Sequence, residues 1–416
     1  DVSVTAATDC IHLATSRLNM RGGFLSLGST DIDNDSSYRA LRVNGTSSNY
    51  YNVASSLSQS ANSAYATEVM EKLNPSNLSS YDRILIGDFV IVCGKVVKSG
   101  YSADGSGVYS GDKGTGYAYY NNGILTLDQY RHIDSNTRGI QAYSDLTVRV
   151  IGDSNSYITL TNNRYAMAIF GNLTLTGSQK LQLTSATNPL YVEGNMTLAG
   201  SDLTLNANGN AKSLEINGDL NVNSGRLETY NSNETGIYVT GNMTMTGGSV
   251  YVSSKNNGIH LPNGKLTVTG GYLQAISTDT TNDDTYAALK LAGTTSSYYN
   301  VSENLEQRAD KSGRVVIGTM ISLDPEELSK YDGVVIGQYI SVDGTILRSG
   351  ETMSIGDGSA SYVANSEGET LTLNNVTSTS KNGVGIKTSR SLNLILKGDN
   401  TLTGNNAGHT IEVGGD

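Results

Sequence analysis

A glycine-led repeat in the middle of the chain narrows what this sequence can fold into. Gly171, Gly194, Gly218, Gly241 and Gly264 open the segments GNLTL, GNMTL, GDLNV, GNMTM and GKLTV, spaced by 23, 24, 23 and 23 residues. Three apolar-x-apolar triplets recur within each period. One period carries Leu173-x-Leu175, Leu181-x-Leu183 and Leu190-x-Val192, and the next Met196-x-Leu198, Leu203-x-Leu205 and Leu214-x-Ile216. Leu220-x-Val222 and Met243-x-Met245 begin two more. Alternation with period two marks a strand with one buried face. Strands this short cannot stand alone as hairpins. Stacked in register, they make three parallel sheets around an apolar interior, each coil rising about 4.8 Å, the distance between neighbouring strands. An antiparallel sandwich gives no reason for a fixed period. The expected fold class is therefore all-β, a parallel β-helix or solenoid with three short strands per coil. The sequence itself does not set the hand of the coil; right-handed is only the prior that the general rule for parallel crossovers supplies.

Composition agrees. The 416 residues include 47 Gly but only 4 Pro, so turns are plentiful and long ladders go uninterrupted. Charged residues are 16%, below the roughly 25% of an average domain, which argues against a helical or disordered chain. A net charge of −11 argues against nucleic acid and anionic membranes as partners. No apolar run is long enough for membrane insertion in this segment. The start at Asp1 reads as that of a mature or trimmed chain. Cys10 and Cys93, in DCIHL and VIVCGKV, read as small apolar residues in strand-like contexts, with a disulfide as the alternative.

A longer repeat overlies the short one. Ile11-His12-Leu13 matches Ile259-His260-Leu261, and Tyr50-Tyr51-Asn52-Val53 matches Tyr298-Tyr299-Asn300-Val301, both offset by 248. Asn74-Pro75 matches Asp324-Pro325 at an offset of 250, and Leu125-Thr126-Leu127 matches Leu371-Thr372-Leu373 at 246. The chain thus reads as a window onto a tandem array: last coils of one module at 1–48, a connector at 49–122, a central solenoid at 123–296, a second connector at 297–368 and first coils of the next module at 369–416. NPSNLSSYD and DPEELSKYD each predict a short helix, with Asn or Asp as N-cap and Pro at the first helical position. The connectors are expected to cap one stack and start the next, because bare strand edges recruit other chains.

The second connector and its sequel resemble a recurrent module of gram-positive anaerobe surface proteins. Gly356-Asp357-Gly358, Tyr362, Thr370 to Asn375, Gly385-Ile386 and Gly398 to Gly404 carry the likeness. The first copy is looser, with Gly111-Asp112, Tyr117, Leu125-Thr126-Leu127 and Gly152-Asp153. Such proteins are described as carbohydrate-binding-like or adhesin-like and resemble pectin-binding right-handed β-helices. The resemblance implies a fold and an extracellular setting, and transfers no ligand residues.

Candidate site residues follow from the outward positions. Thr174, Thr197, Asn221, Thr244 and Thr267 form a polar column along the first strands, flanked by Asn172, Asn195, Asp219 and Asn242. Such a lattice of hydroxyls and amides can hydrogen-bond a polysaccharide, although Thr also simply suits a pleated surface. Tyr191, Tyr238 and Tyr251 face outward on the other strands and offer rings for sugar stacking. The paired tyrosines of the connectors are expected to pack. Asp31, Asp33 and Asp35 have the spacing of a calcium loop, with Asp279 and Asp283 in the copy, so calcium is the one cofactor considered. Against it, Ser36 stands where an EF-hand needs Gly and Arg42 where it needs Glu. His12, His132, His260 and His409 show no zinc-ligand spacing. Glu215 and Glu228 are isolated acids on different faces, unlike the paired carboxylates of a glycosidase, so no enzyme is expected. The expected function is a non-catalytic, extracellular, secreted or surface-attached adhesin or scaffold with a host or cell-wall glycan as partner. Head-to-tail self-association into a filament or stalk is the alternative.

Overall fold

The computed structural model describes residues 1–31, 39–44, 49–63, 70–100, 109–110, 116–134, 138–161, 165–279, 285–293, 297–312, 320–365, 368–379, 385–388, 391–403 and 410–413. The chain is all-β, with 58% strand and 4% helix, and winds as a parallel β-solenoid of about 15 turns with coils of about 23 residues. Two compact units, Asp1–Asn242 and Met243–Asp416, each contain one connector.

Inside the first unit, the triplets of successive coils stand in register. Leu173 pairs with Met196 and Met196 with Leu220. Leu181 pairs with Leu203, and Leu190 with Leu214. All seven side chains are buried. The interior is thus a set of apolar ladders, each rung touching the one above, and it supplies the main driving force for folding. The second unit repeats this with Met243 on Leu266 and Val250 on Leu273.

The walls depart from the expected three separate strands per coil in one respect. First and second strands run together as Met196–Ala207 and Leu220–Ser232, so the first two walls share one bent sheet. Glycine makes this continuity possible. Gly200 and Gly225, inside these two strands, turn the corner with φ of +135° and +82°, where a side chain is strained. A register shift at Leu198–Ala199 marks a bulge at the bend.

Each connector seals a stack with an antiparallel insertion. Arg83–Gly87 lies antiparallel both to Phe24–Ser29, the second strand of a coil, and to Ser58–Asn62. The second unit repeats the device, with Gly333–Gly337 between Tyr272–Ser277 and Glu306–Asp310. The short helices form where predicted, as 3₁₀ helices Pro75–Ser80 and Pro325–Lys330. Asn74 Oδ1 and Asp324 Oδ1 accept from the N–H groups of Ser76 and Glu326, both at 2.9 Å. Buried Leu78 and Leu328 hold the helices down.

After the helix, Phe89–Val92 pairs antiparallel with Lys95–Lys98 and with Ile140–Ala142, the third strand that starts the next stack. The hairpin turn is Cys93-Gly94, at φ +48° and +79°. Cys93 is therefore a turn residue and not part of a strand. Its counterpart is Asp343-Gly344, at φ +51° and +74°, and both fit the type I′ turn that two-residue hairpins favour. Cys10 lies just ahead of the strand Ile11–Leu13, and neither cysteine forms a disulfide. Among the described residues no helix is long and apolar enough to cross a membrane.

Candidate glycan-binding face and cleft

The Gly-Asn pair that opens each coil builds a hydrogen-bond ladder up the outer corner of the first unit. Asp145 Oδ1 accepts from the Asn172 N–H and Asn172 Oδ1 from the Asn195 N–H, both at 2.8 Å. Asn195 Oδ1 accepts from Asp219 at 2.8 Å, and Asp219 Oδ1 from Asn242 at 2.7 Å. The preceding glycines pair alongside, Gly194 N–H to Gly171 O at 3.0 Å and Gly218 N–H to Gly194 O at 3.1 Å. A Cβ at Gly194 would meet Asn172 Oδ1 at 2.5 Å, which explains why glycine precedes the amide. These amides and carboxylates, predicted to flank a binding lattice, satisfy the next coil's backbone. Asn195→Ala is expected to cost about 1 kcal/mol of stability, the net value of one such bond. Asn195→Asp should cost much less, since Asp219 serves naturally at the same place. Thermal unfolding of the two variants checks both.

The predicted polar column exists as a register. Thr174 pairs with Thr197 and Thr197 with Asn221 in the first unit, and Thr244 with Thr267 in the second. All five are half-buried. On the second strands, Thr204 and Glu228 are buried although they face outward. Thr204 Oγ1 donates to Glu228 Oε2 at 3.0 Å, Lys180 Nζ approaches that oxygen at 3.5 Å, and Arg226 pairs with Oε1.

The tyrosines singled out as stacking platforms already carry protein partners. Tyr191 lies 5.5 Å from Tyr165 and 5.9 Å from Phe170, ring centre to ring centre. Lys212 Nζ sits 3.8 Å over the Tyr238 ring while pairing with Glu215 Oε1 at 2.7 Å. Tyr251 stacks near Tyr272 at 5.3 Å, with the Arg348 guanidinium 4.7 Å from its ring. In the connectors, Tyr51 and Tyr299 donate to Gln59 and Gln307 at 2.5 and 2.8 Å, and buried Tyr120 bonds Asp88. Those are packing roles.

The structure gathers a fuller aromatic group than the sequence showed. Tyr143 and Phe170 occupy the coil position just before the ladder, on successive coils, and stack 5.1 Å apart with planes 2° from parallel. The Tyr143 hydroxyl donates to the Met70 carbonyl at 2.6 Å, which locks its ring. Phe170 leads on to Tyr191 and Tyr165. Asn217 Nδ2 donates to the Tyr191 oxygen at 3.0 Å. Burial, with Glu193 and Glu215 nearby, raises the Tyr191 pKa above the usual phenol value, so it stays a neutral hydroxyl that can donate outward.

Tyr143 and Phe170 floor a cleft of about 690 Å³ against the first connector. The connector wall contributes Ser55, Gln59, Lys72 and Pro75; the coils contribute Ser144, Asp145 and Phe170. Ser58 Oγ lies 2.8 Å from Ser144 Oγ and donates to the Phe89 carbonyl at 2.9 Å, tying the walls together. Lys72 Nζ pairs with Glu193 Oε1 at 2.6 Å at the rim. The volume lies within the usual range for small-ligand sites, and the mixture of ring faces, hydroxyls and amides suits a sugar chain. The legible signal for Phe170 and Tyr143 was their shared place before the coil-opening corner, FGN and YSD.

For calcium, Asp31 and Asp279 are half-buried, and Asp33, Asp35 and Asp283 lie outside the described residues, as does His409. Among the described residues no group of His, Cys, Asp and Glu is placed to hold a metal ion. Compared with protein-family models, curated proteins and solved structures, the chain gives no match.

Proposed function

We propose that the chain is a non-catalytic repeat protein that binds polysaccharide, working as a surface or secreted adhesin or scaffold. The stacked Tyr143 and Phe170 rings that floor the connector cleft, with Tyr191 packed beside Phe170, carry this reading. A stacked solenoid is a rigid support, so rings and hydroxyls set on its corners lose little entropy when a ligand binds. Many such contacts along repeated modules would sum to avidity. The likeness of residues 356–404 to gram-positive anaerobe surface modules supports the extracellular setting. Glu215 and Glu228 are each held by cations, Lys212 for the first and Lys180 with Arg226 for the second, an arrangement suited to structure more than to proton transfer.

A glycan array and affinity electrophoresis in neutral polysaccharides test the reading. Wild type should be retained by at least one polymer, and Phe170→Ala should weaken that binding about 10-fold to 30-fold, as loss of a central aromatic anchor does. A wild-type protein retained by no glycan, or a Phe170→Ala variant retained as well as wild type, overturns it.

A further inference from the structure

The second connector carries a cleft on the equivalent connector wall, with a different polar lining and without the aromatic floor. Glu303, Glu306, Gln307, Arg308, Leu323 and Pro325 line a cleft of about 630 Å³ in the second unit. In the repeat they correspond to Ser55, Ser58, Gln59, Ser60, Leu73 and Pro75. The scaffold is shared: Gln307 accepts from Tyr299 as Gln59 does from Tyr51, and Pro325 opens a 3₁₀ helix as Pro75 does. Leu323 and Leu73 are both buried on the apolar side.

The chemistry of the lining differs. Ser55 of the first lining becomes Glu303 and Lys72 becomes Ser322, while Ser58 and Ser60, buried and outside the first lining, become Glu306 and Arg308. Glu306 is only 6% exposed, and Arg308 Nε holds its Oε1 at 2.7 Å, so those two charges largely cancel. Glu303 stands exposed on the rim with no ammonium in the lining to match Lys72. The first cleft pairs its cation with Glu193 and presents hydroxyls, whereas the second presents a net negative charge beside the same apolar wall and amide.

Resting on the polysaccharide reading above, we infer that the second cleft is a separate binding site, re-lined for a glycan that bears free amino groups. The ammonium of a de-N-acetylated amino sugar would meet Glu303, while ring faces lie on Leu323 and Pro325 and hydroxyls meet Gln307. An N-acetylated sugar has no charge to offer there. One chain would thus hold two glycan classes on a single repeated scaffold.

The test uses the whole chain and two probes, a β-1,4-glucosamine oligomer with free amines and its fully N-acetylated counterpart, titrated calorimetrically near neutral pH. Wild type should prefer the free-amine oligomer, and the preference should shrink as salt is raised, because Glu303 is exposed. Glu303→Lys, an exposed change that should not disturb folding, is expected to cut the affinity for the amine oligomer about tenfold relative to the acetylated one. Equal affinities for the two oligomers in wild type, or an unchanged ratio in Glu303→Lys, would overturn the inference. Should neutral polysaccharide bind in a Phe170-dependent way while the amine oligomer shows no preference, only this inference falls. Should no glycan bind at all, the polysaccharide reading falls with it.

Discussion

Gly177→Ala is expected to cost at least about 3 kcal/mol and to disrupt the bend between the first and second strands of its coil. Two effects add. The residue sits at φ +121°, which a side chain tolerates poorly. A Cβ built there also falls inside contact distance of the Val150 backbone in the neighbouring coil, with which Gly177 is paired. Backbone paired on both sides cannot retreat as a flexible side chain can. Gly23→Ala separates the two effects: its φ is +78°, yet a Cβ there meets nothing within 4 Å. That variant should lose only the backbone share, about 1–2 kcal/mol. Thermal unfolding ranks the variants, and amide exchange along Leu173–Gly177 and Leu146–Ile151 locates the damage. If Gly177→Ala melts with Gly23→Ala, close coil approach is not what selects glycine at this corner.

Arg39→Ala should destabilise the first unit by about 3–5 kcal/mol, the usual result of stranding one member of a buried ion pair. Arg39 Nη1 lies 2.7 Å from Asp82 Oδ1, with the two side chains 10% and 5% exposed. The arginine N–H also donates to Asp9 Oδ1 at 2.8 Å, a backbone bond that alanine keeps. The loss therefore reports the guanidinium alone. Adding Asp82→Asn to Arg39→Ala should recover part of the stability, since the buried charge is then gone. The repeat supplies a natural contrast, because Ala287 and Asp332 occupy the corresponding places in the second unit. Denaturant unfolding followed by amide exchange across residues 9–87 measures the effect. A double variant less stable than Arg39→Ala would show that Asp82 does not depend on Arg39.

The fold was legible because its signal is redundant. Leu173, Met196 and Leu220 each say little, but their regular recurrence leaves few structures that bury them all. The helix starts were legible for a local reason, Asn74-Pro75 and Asp324-Pro325 being self-sufficient caps. What escaped depends on contacts between coils. Asn172 and Asn195 looked like surface amides because their partners are the backbones of the next coil, 23 and 24 residues further on. The union of first and second strands escaped because glycine at a corner reads as a break, whereas Gly200 and Gly225 bend the ladder without ending it. Cys93 read as part of a continuous strand, although its copy, Asp343-Gly344, spelled out a turn. Phe170 and Tyr143 were overlooked because the triplets drew attention to strands, while the cleft is built at a corner and on a connector remote in sequence.

The inserted strands Arg83–Gly87 and Gly333–Gly337 bear on how such a chain is made. A coil can settle on its predecessor as soon as it leaves the ribosome, since its partners were synthesised just before. The edge of Phe24–Ser29 must wait for Gly87, well downstream, before its last donors and acceptors are taken. Until then the nascent stack offers an open template to any neighbouring chain. Spacing the plugs one per module limits that exposure to a single unfinished stack, so a long array can be synthesised with only its newest part at risk of sticking to another copy.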